Sequence, residues 1–339
     1  MRIAIYGAGS LGTVLGAYLT KAYPETELIN RNQAHIEALR RNGAQITGSV
    51  EMNVPVKALL PEEMTGVYDL IFLMTKQLNN RETAEFLKPF LGENGILCTL
   101  QNGIPEPLLA EVLGNDRVLG ATVAWGATMT SPGTVVLTSD ANSMTFGMGQ
   151  NNAAGEERTA LVRTVLEHMC PVEYEPDFEG ARWSKLLINA AFSGLGTVIG
   201  GTFGDVAADK KTRRVAQYVI KECIDVGHAA GVSFAPVQGK DIVKLLYFKG
   251  TFKRAVSFAI IPLAIKKHRL LKPSMLQDLE KGKPCEIDAI NGVVCHFAQK
   301  TGVPAPFNAK IVEIIHRIEE NKASCGYENI AEFDALLKP

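Results

Sequence analysis

Nothing in this sequence is in large excess, and the shortages narrow the choices. Neither sign of charge dominates: 35 Lys and Arg against 36 Asp and Glu give a formal net charge of −1. No bulk affinity for nucleic acid or for an anionic membrane is therefore expected. Cysteine is sparse, with Cys98, Cys170, Cys223, Cys285, Cys295 and Cys325 scattered and no C-x-x-C among them. No metal site is expected, and reduced thiols in a cytoplasm are the expectation. Each cysteine reads better as a small core residue than as a nucleophile. The most apolar stretch, Ala255 to Ile265, is too short to span a bilayer and carries Pro262. It reads as a buried helix. A glycine loop is reached after only six residues, which is read as leaving no room for a secretory or transit peptide. No repeat or low-complexity tract interrupts the chain.

What remains is an ordinary globular composition, 46% hydrophobic and 21% charged over 339 residues, enough for two domains. Gly7-Ala8-Gly9-Ser10-Leu11-Gly12 follows the strand-like run Met1–Tyr6 and precedes a plausible helix from Thr13. This is the G-x-G-x-x-G pattern in the context of a dinucleotide-binding βαβ unit. Gly7 permits the tight turn, Gly9 lets a pyrophosphate approach the backbone, and Gly12 lets helix and strand pack closely. The pyrophosphate would rest on the helix N-terminus, whose free N–H groups and dipole favour an anion. Gly7, Gly9, Ser10, Leu11 and Gly12 are the expected cofactor-binding residues of this loop.

The second strand should end about 20 residues beyond the loop, where Glu27-Leu28-Ile29-Asn30-Arg31-Asn32 stands. An NAD-binding chain usually places an acid there. Asn30 and Arg31 stand there instead, and a guanidinium suits a 2′-phosphate, so NADPH is expected over NADH. Glu27 comes too early to be the ribose ligand.

Strands are predicted at Arg2–Tyr6, Glu27–Asn30, Leu70–Met74, Gly95–Thr99 and Val118–Ala124, with helices such as Gln33–Asn42 and Asn80–Phe90 between them. That rhythm is a doubly wound parallel sheet. Thr134–Thr138 and Ser143–Gly147 read as an antiparallel extension, with Ser131-Pro132-Gly133 as a turn. A helix Glu156–His168 and a short strand Val172–Tyr174 close this half. Beyond Phe178 helical periodicity takes over, at Glu179–Ser193, Lys210–Ala230, Val237–Tyr247, Lys253–Lys267, Glu286–Thr301 and Phe307–Lys322. The expected fold is α/β: a Rossmann-type doubly wound sheet over residues 1–175, then an all-α domain over 176–339.

Three stretches carry candidate chemistry. The strand ending Met74-Thr75-Lys76 places Lys76 at the carboxyl edge of the sheet, where ligands bind. Asn102-Gly103 ends another strand at that edge, and Asn102 offers both a donor and an acceptor near the expected nicotinamide site. On the first helix of the second half, Lys185, Asn189 and Ser193 are spaced four apart and line one polar face of an otherwise apolar helix. Glu286 opens a later helix. Spacing alone does not bring it to Lys185.

Together these pieces resemble the ketopantoate reductase family (2-dehydropantoate 2-reductase). Its marks are G-x-G-x-x-G, an Asn-Gly after a sheet strand, W-x-K-x-x-x-N, S-M-x-x-D and E-I-D-x-x-N-G. They stand here in order as Gly7–Gly12, Asn102-Gly103, Trp183–Asn189, Ser274–Asp278 and Glu286–Gly292. The resemblance implies reduction of a small-molecule 2-oxo acid with NADPH, as in pantothenate biosynthesis. It implies Lys185 as general acid and Glu286 as the catalytic partner that binds substrate and sets the charge of Lys185. It implies that Ser274 lies near the substrate carboxylate and that Asn189 contacts its hydroxyl. Asn102 would orient nicotinamide and substrate, and Arg31 and Lys76 would hold the cofactor. Two departures fall on the substrate side. Ser193 stands where the family has a second asparagine, and the segment 234–272 is longer, reading as an extra helical hairpin or a dimer surface. A homodimer is therefore an open option. Reduction of another 2-oxo acid and a non-catalytic NADP(H) sensor are the competing readings.

Overall fold

The computed structural model describes residues 1–149, 154–237 and 239–338. The chain divides into two compact units, Met1–Gln101 with Pro105–Phe178, and Asn102–Ile104 with Glu179–Pro339.

The first unit is built on β1 (Ile3–Tyr6), β2 (Glu27–Ile29), β3 (Lys57–Leu59), β4 (Tyr68–Leu73), β5 (Leu91–Thr99) and β6 (Val118–Gly120). All neighbours pair in parallel, in the order β3-β2-β1-β4-β5-β6. A parallel sheet is covered on both faces, which requires strands that are apolar throughout. All of Ile3–Tyr6 and Leu70–Leu73 are accordingly buried. The chain runs β1 to β3 toward one edge, then returns to β4 beside β1, so β1 and β4 flank the switch point at which such sheets bind ligands.

The expected doubly wound sheet is thus present, but its extension is arranged differently. Ala127–Ser131 and Thr134–Leu137 form a hairpin over the turn at Gly133, whose φ is +80°. Ala44–Gly48, not anticipated as a strand, joins Thr134–Leu137 in parallel. Phe146–Met148 does not pair with Thr134–Leu137. It pairs with Thr122–Val123 and Val172–Tyr174 instead. Asp140 causes the difference, since it accepts N–H bonds from Asn142 and Ser143 at 3.0 Å each and turns the chain away. The helix Glu106–Leu113 was also not anticipated.

The second unit is helical around a core that includes Trp183, Leu187, Val219, Ile220, Ile290, Ile311 and Ile315. Its longest helix, Lys210–Ala229, starts at Asp209, whose carboxylate accepts from the Thr212 N–H at 2.7 Å. Three expectations are corrected here. Thr251–Ala264 is a helix but not a buried one: only Ser257 and Ile261 are buried, and Leu263 is 72% exposed. It packs on Lys210–Ala229, on Ile242–Leu246 and on Phe203–Ala208, and apolar residues such as Phe252 and Leu263 still reach the surface. The helix anticipated over 237–247 is confined to Ile242–Leu246, with Gln238 outside the described residues. The helix anticipated over Glu179–Ser193 is α-helical only from Phe178 to Ile188. Asn189–Gly194 is a π-helical turn, followed by the α-helix Leu195–Ile199. Among the described residues, no helix is long and apolar enough to cross a membrane.

Candidate active site

The glycine loop joins β1 to the helix Ser10–Ala22. Gly7 and Ala8 both donate to the Ile29 carbonyl, at 3.0 and 2.9 Å, fastening the loop to the end of β2. Gly7 has φ +102°, and a Cβ there would lie 2.4 Å from the Thr75 nitrogen. A Cβ on Gly12 would lie 2.5 Å from the Gly7 carbonyl oxygen. The fold itself therefore requires glycine at both positions. Gly9 is different: a Cβ there would meet only the Gly7 oxygen, at 3.9 Å. Nothing among the described residues demands a glycine at position 9, so the demand falls on the open side of the loop. The helix behind it has no side-chain cap and no acid in its first turn, which leaves its N–H groups and positive dipole end available to an anion. The chemistry of the loop thus fits a diphosphate. The Ser10 hydroxyl accepts from the Met129 N–H at 3.0 Å, and Leu11 packs on the core of the unit.

At the end of β2 the Asn30 side chain accepts from the Asn32 N–H at 2.8 Å. Asn32 in turn caps the helix Gln33–Asn42 through the His35 N–H. Arg31, held between them, is exposed and has no hydrogen-bond or ion-pair partner among the described residues. Glu27 is occupied elsewhere, in a salt bridge to Arg2 at 3.0 Å. Lys76 is exposed just past β4.

Two polar networks that the sequence did not signal support this edge. Gln101 donates to the Thr75 carbonyl and to Asn80 Oδ1, both at 2.8 Å, and accepts from Asn80 and Thr99 at 3.0 Å. It ties the carboxyl ends of β4 and β5 together on either side of Lys76. His35 links three elements through a directed relay. The Gly133 N–H donates to Nδ1 at 2.9 Å, so the proton sits on Nε2 and is given to Thr13 Oγ1 at 3.1 Å. Thr13 donates onward to the Ala8 carbonyl in the glycine loop. Burial holds the His35 ring below its ordinary pKa, in keeping with a neutral acceptor at Nδ1.

In the second unit, Trp183 fixes the helix Phe178–Ile188. It is fully buried, with its ring against Phe297 and Phe234 at 5.0 and 6.2 Å. Between Arg182 and Ile199 only Lys185, Ile188, Asn189 and Ser193 have partial exposure. The stripe expected of an α-helix survives the change to a π turn for a geometric reason. Four residues overshoot one α-helical turn but fall short of one turn of the wider π form. The two offsets oppose each other from Lys185 through Asn189 to Ser193. Loss of hydration, with the neighbouring Arg182 guanidinium as a second cause, pushes the Lys185 amino group down to about 7. Arg182, one turn earlier and 2% exposed, was missed from sequence although its spacing from Lys185 was visible.

Ser274 starts the helix Ser274–Leu279, and Glu286 precedes the helix Ile287–Thr301. Both helices pack against the π turn, which sequence spacing did not reveal. Asn102 and the following Gly103, at φ +74°, count with this second unit, and Ile104 packs on its core.

Comparison with known proteins places these features in a family. Residues 3–151 match the family described as ketopantoate reductase PanE/ApbA, and residues 177–319 match its C-terminal counterpart. The 2-dehydropantoate 2-reductase of Aquifex aeolicus is 28% identical over 318 residues, covering 93% of this chain and 96% of that protein. That of Mesorhizobium japonicum is 27% identical over 341 residues, covering 94% and 98%. Among solved structures, a PanE/ApbA family ketopantoate reductase from Ralstonia eutropha JMP134 superposes with a TM-score of 0.80 at 26% identity, covering 95% of this chain and 99% of the other. D-mandelate dehydrogenase, solved with NADH and anilino(oxo)acetate, gives the same TM-score at 21% identity, covering 95% and 99%, a likeness of fold. With both halves matched in order and its full set of motifs on one parallel sheet and one helical unit, this chain belongs to the ketopantoate reductase family of oxidoreductases.

Proposed function

We propose that this protein reduces a 2-oxo acid with NADPH, that ketopantoate is the substrate and pantoate the product, and that Lys185 is the general acid. The observation that carries the reading is the amino group of Lys185, lowered to about 7 on the one partly exposed stripe of a segment otherwise buried from Arg182 to Ile199. An acid with a pKa near the working pH is partly protonated there and yields its proton readily, as general acid catalysis requires.

The residues take the following roles. Backbone N–H groups of the Gly7–Gly12 loop hold the diphosphate, with Gly9 giving it room. Arg31 grips the 2′-phosphate through its fork of donors, and Lys76 adds a second cation at the sheet edge. When bound, the nicotinamide supplies the hydride. Lys185 stabilises the negative charge that develops on the carbonyl oxygen and delivers the proton that completes the hydroxyl. Glu286 hydrogen-bonds the substrate and helps to set the charge of Lys185. Asn189 and Ser193 contact the substrate's own hydroxyl side, Ser274 meets its carboxylate, and Asn102 orients substrate and nicotinamide.

Ser193 favours a second reading, in which the substrate is another, bulkier 2-oxo acid, because a serine leaves more room than the family's asparagine. The test is NADPH oxidation measured with ketopantoate and with a panel of 2-oxo acids. Ketopantoate should give the highest kcat/KM. Equal turnover across the panel would contradict it, and turnover with none of them would remove the reductase reading.

A further inference from the structure

A polar chain runs through the interior of the helical unit and ends on the π turn. It begins at Glu222, on the helix Lys210–Ala229, which is 8% exposed. Its carboxylate accepts from the N–H groups of Phe307 and Asn308, at 2.9 and 3.0 Å, and from Asn308 Nδ2 at 2.8 Å. It thereby caps the helix Pro306–Glu319 from outside and fixes the Asn308 amide. Asn308 Oδ1 accepts from Asn291 Nδ2 at 2.9 Å, and that same nitrogen donates to the Ala190 carbonyl at 3.1 Å. Asn291 and Asn308 are fully buried. Two amide hydrogens meet two acceptors, which leaves the Asn291 oxygen facing Gly194, the last residue of the π turn.

We propose that Glu222, Asn308 and Asn291 are positioning residues that hold the π turn in the shape that presents Asn189 and Ser193 to the substrate. A π turn is one residue wider than the α form, is rare, and is frequent at functional sites where it does occur. The bond to the Ala190 carbonyl is made from a different helix, so it fastens the widened turn to the body of the unit. A buried polar chain of this kind has one satisfied arrangement and a large cost for any other. Burial pushes the Glu222 carboxyl up to about 7, against the pull of the three N–H donors.

The role of Asn189 and Ser193 rests on the proposed reductase reading, so the experiment separates the two. Amide hydrogen exchange of the full-length protein reads the turn directly. Asn291→Ala should speed exchange across 189–195 and leave the helix 178–185 protected. Glu222→Gln, a milder change that keeps the side-chain shape, should do the same more weakly and serves if Asn291→Ala does not fold. Unchanged exchange across the turn in both variants would overturn the proposal. Kinetics with ketopantoate then reads the consequence. Asn291→Ala should raise KM about tenfold with kcat less affected and the Kd for NADPH unmoved. Added to Asn189→Ala, it should raise KM by far less than it does alone, because both act at one place. A lowered Tm with unchanged KM, or fully additive effects, would also overturn it. If Asn189→Ala itself leaves KM unchanged, the assignment of the substrate site fails, while the exchange result still decides the chain.

Discussion

Asn291 follows Ala190 by 101 residues and donates to its carbonyl from the side chain at 3.1 Å. The contact ends a chain of hydrogen bonds beside Gly194. A Cβ on Gly194 would lie 2.6 Å from Asn291 Oδ1, and the Asn291 amide is pinned by both of its donor bonds.

Gly194→Ala sets two effects against each other. Alanine gains roughly 0.5–1 kcal/mol over glycine in a helix, whereas overpacking a rigid site costs about 1–3 kcal/mol. The second should win, and urea denaturation should show a net loss of stability. A stabilised variant would mean that the Asn291 side chain yields.

The glycine loop makes a paired prediction. Gly12→Ala collides with backbone and should cost about 1–3 kcal/mol of stability. Gly9→Ala meets no atom of the described residues closer than ordinary contact. It should keep stability within about 1 kcal/mol of the parent while weakening NADPH binding at least tenfold, about 1.4 kcal/mol. Denaturation and fluorescence titration with NADPH separate the two. Normal NADPH affinity in Gly9→Ala would place the diphosphate elsewhere.

Lys185 links activity and stability to pH in opposite directions. Its amino group falls from 10.5 free in solution to about 7 in the folded chain, so the folded state binds fewer protons between those values, and stability rises with pH across that window. Lys185→Met should therefore be more stable than the parent, fully so below about pH 7 and by nothing above about pH 10.5. Thermal melts across that range check it. The parent's kcat/KM for reduction should fall as pH rises past about 7, when the acid loses its proton.

His35 has a depressed folded-state pKa, so below the ordinary imidazole value of 6.5 the unfolded chain takes up a proton that the folded one refuses. The neutral ring's contribution is present above that pH and is lost as pH falls through the folded value. His35→Gln should flatten the decline of Tm in this range relative to the parent. An equally steep decline in both proteins would assign the acid sensitivity to carboxylates.

The sequence made some of this legible because some of the determinants are local. The glycine loop, the strand before it and Arg31 lie within one βαβ unit, so pattern alone predicted their placement. The stripe of Lys185, Asn189 and Ser193 was also visible, although for an α-helix that the chain does not form throughout. The π turn was not legible, because the bond that supports it comes from Asn291, a hundred residues away, and helical periodicity carries no mark of it. The same holds for Phe146–Met148, whose partners Asp140 redirects by a local turn. Helix Thr251–Ala264 failed for the opposite reason: its apolar composition said buried, but its neighbours bury only Ser257 and Ile261.

The claim on which the rest depends is that Lys185 delivers the proton. The direct test is Lys185→Ala, assayed for NADPH oxidation with ketopantoate beside a titration of NADPH affinity. Turnover should fall by about 10²–10⁴-fold with the Kd for NADPH unchanged within about twofold. Turnover at the parent's rate, with the variant folded and binding NADPH, would contradict it.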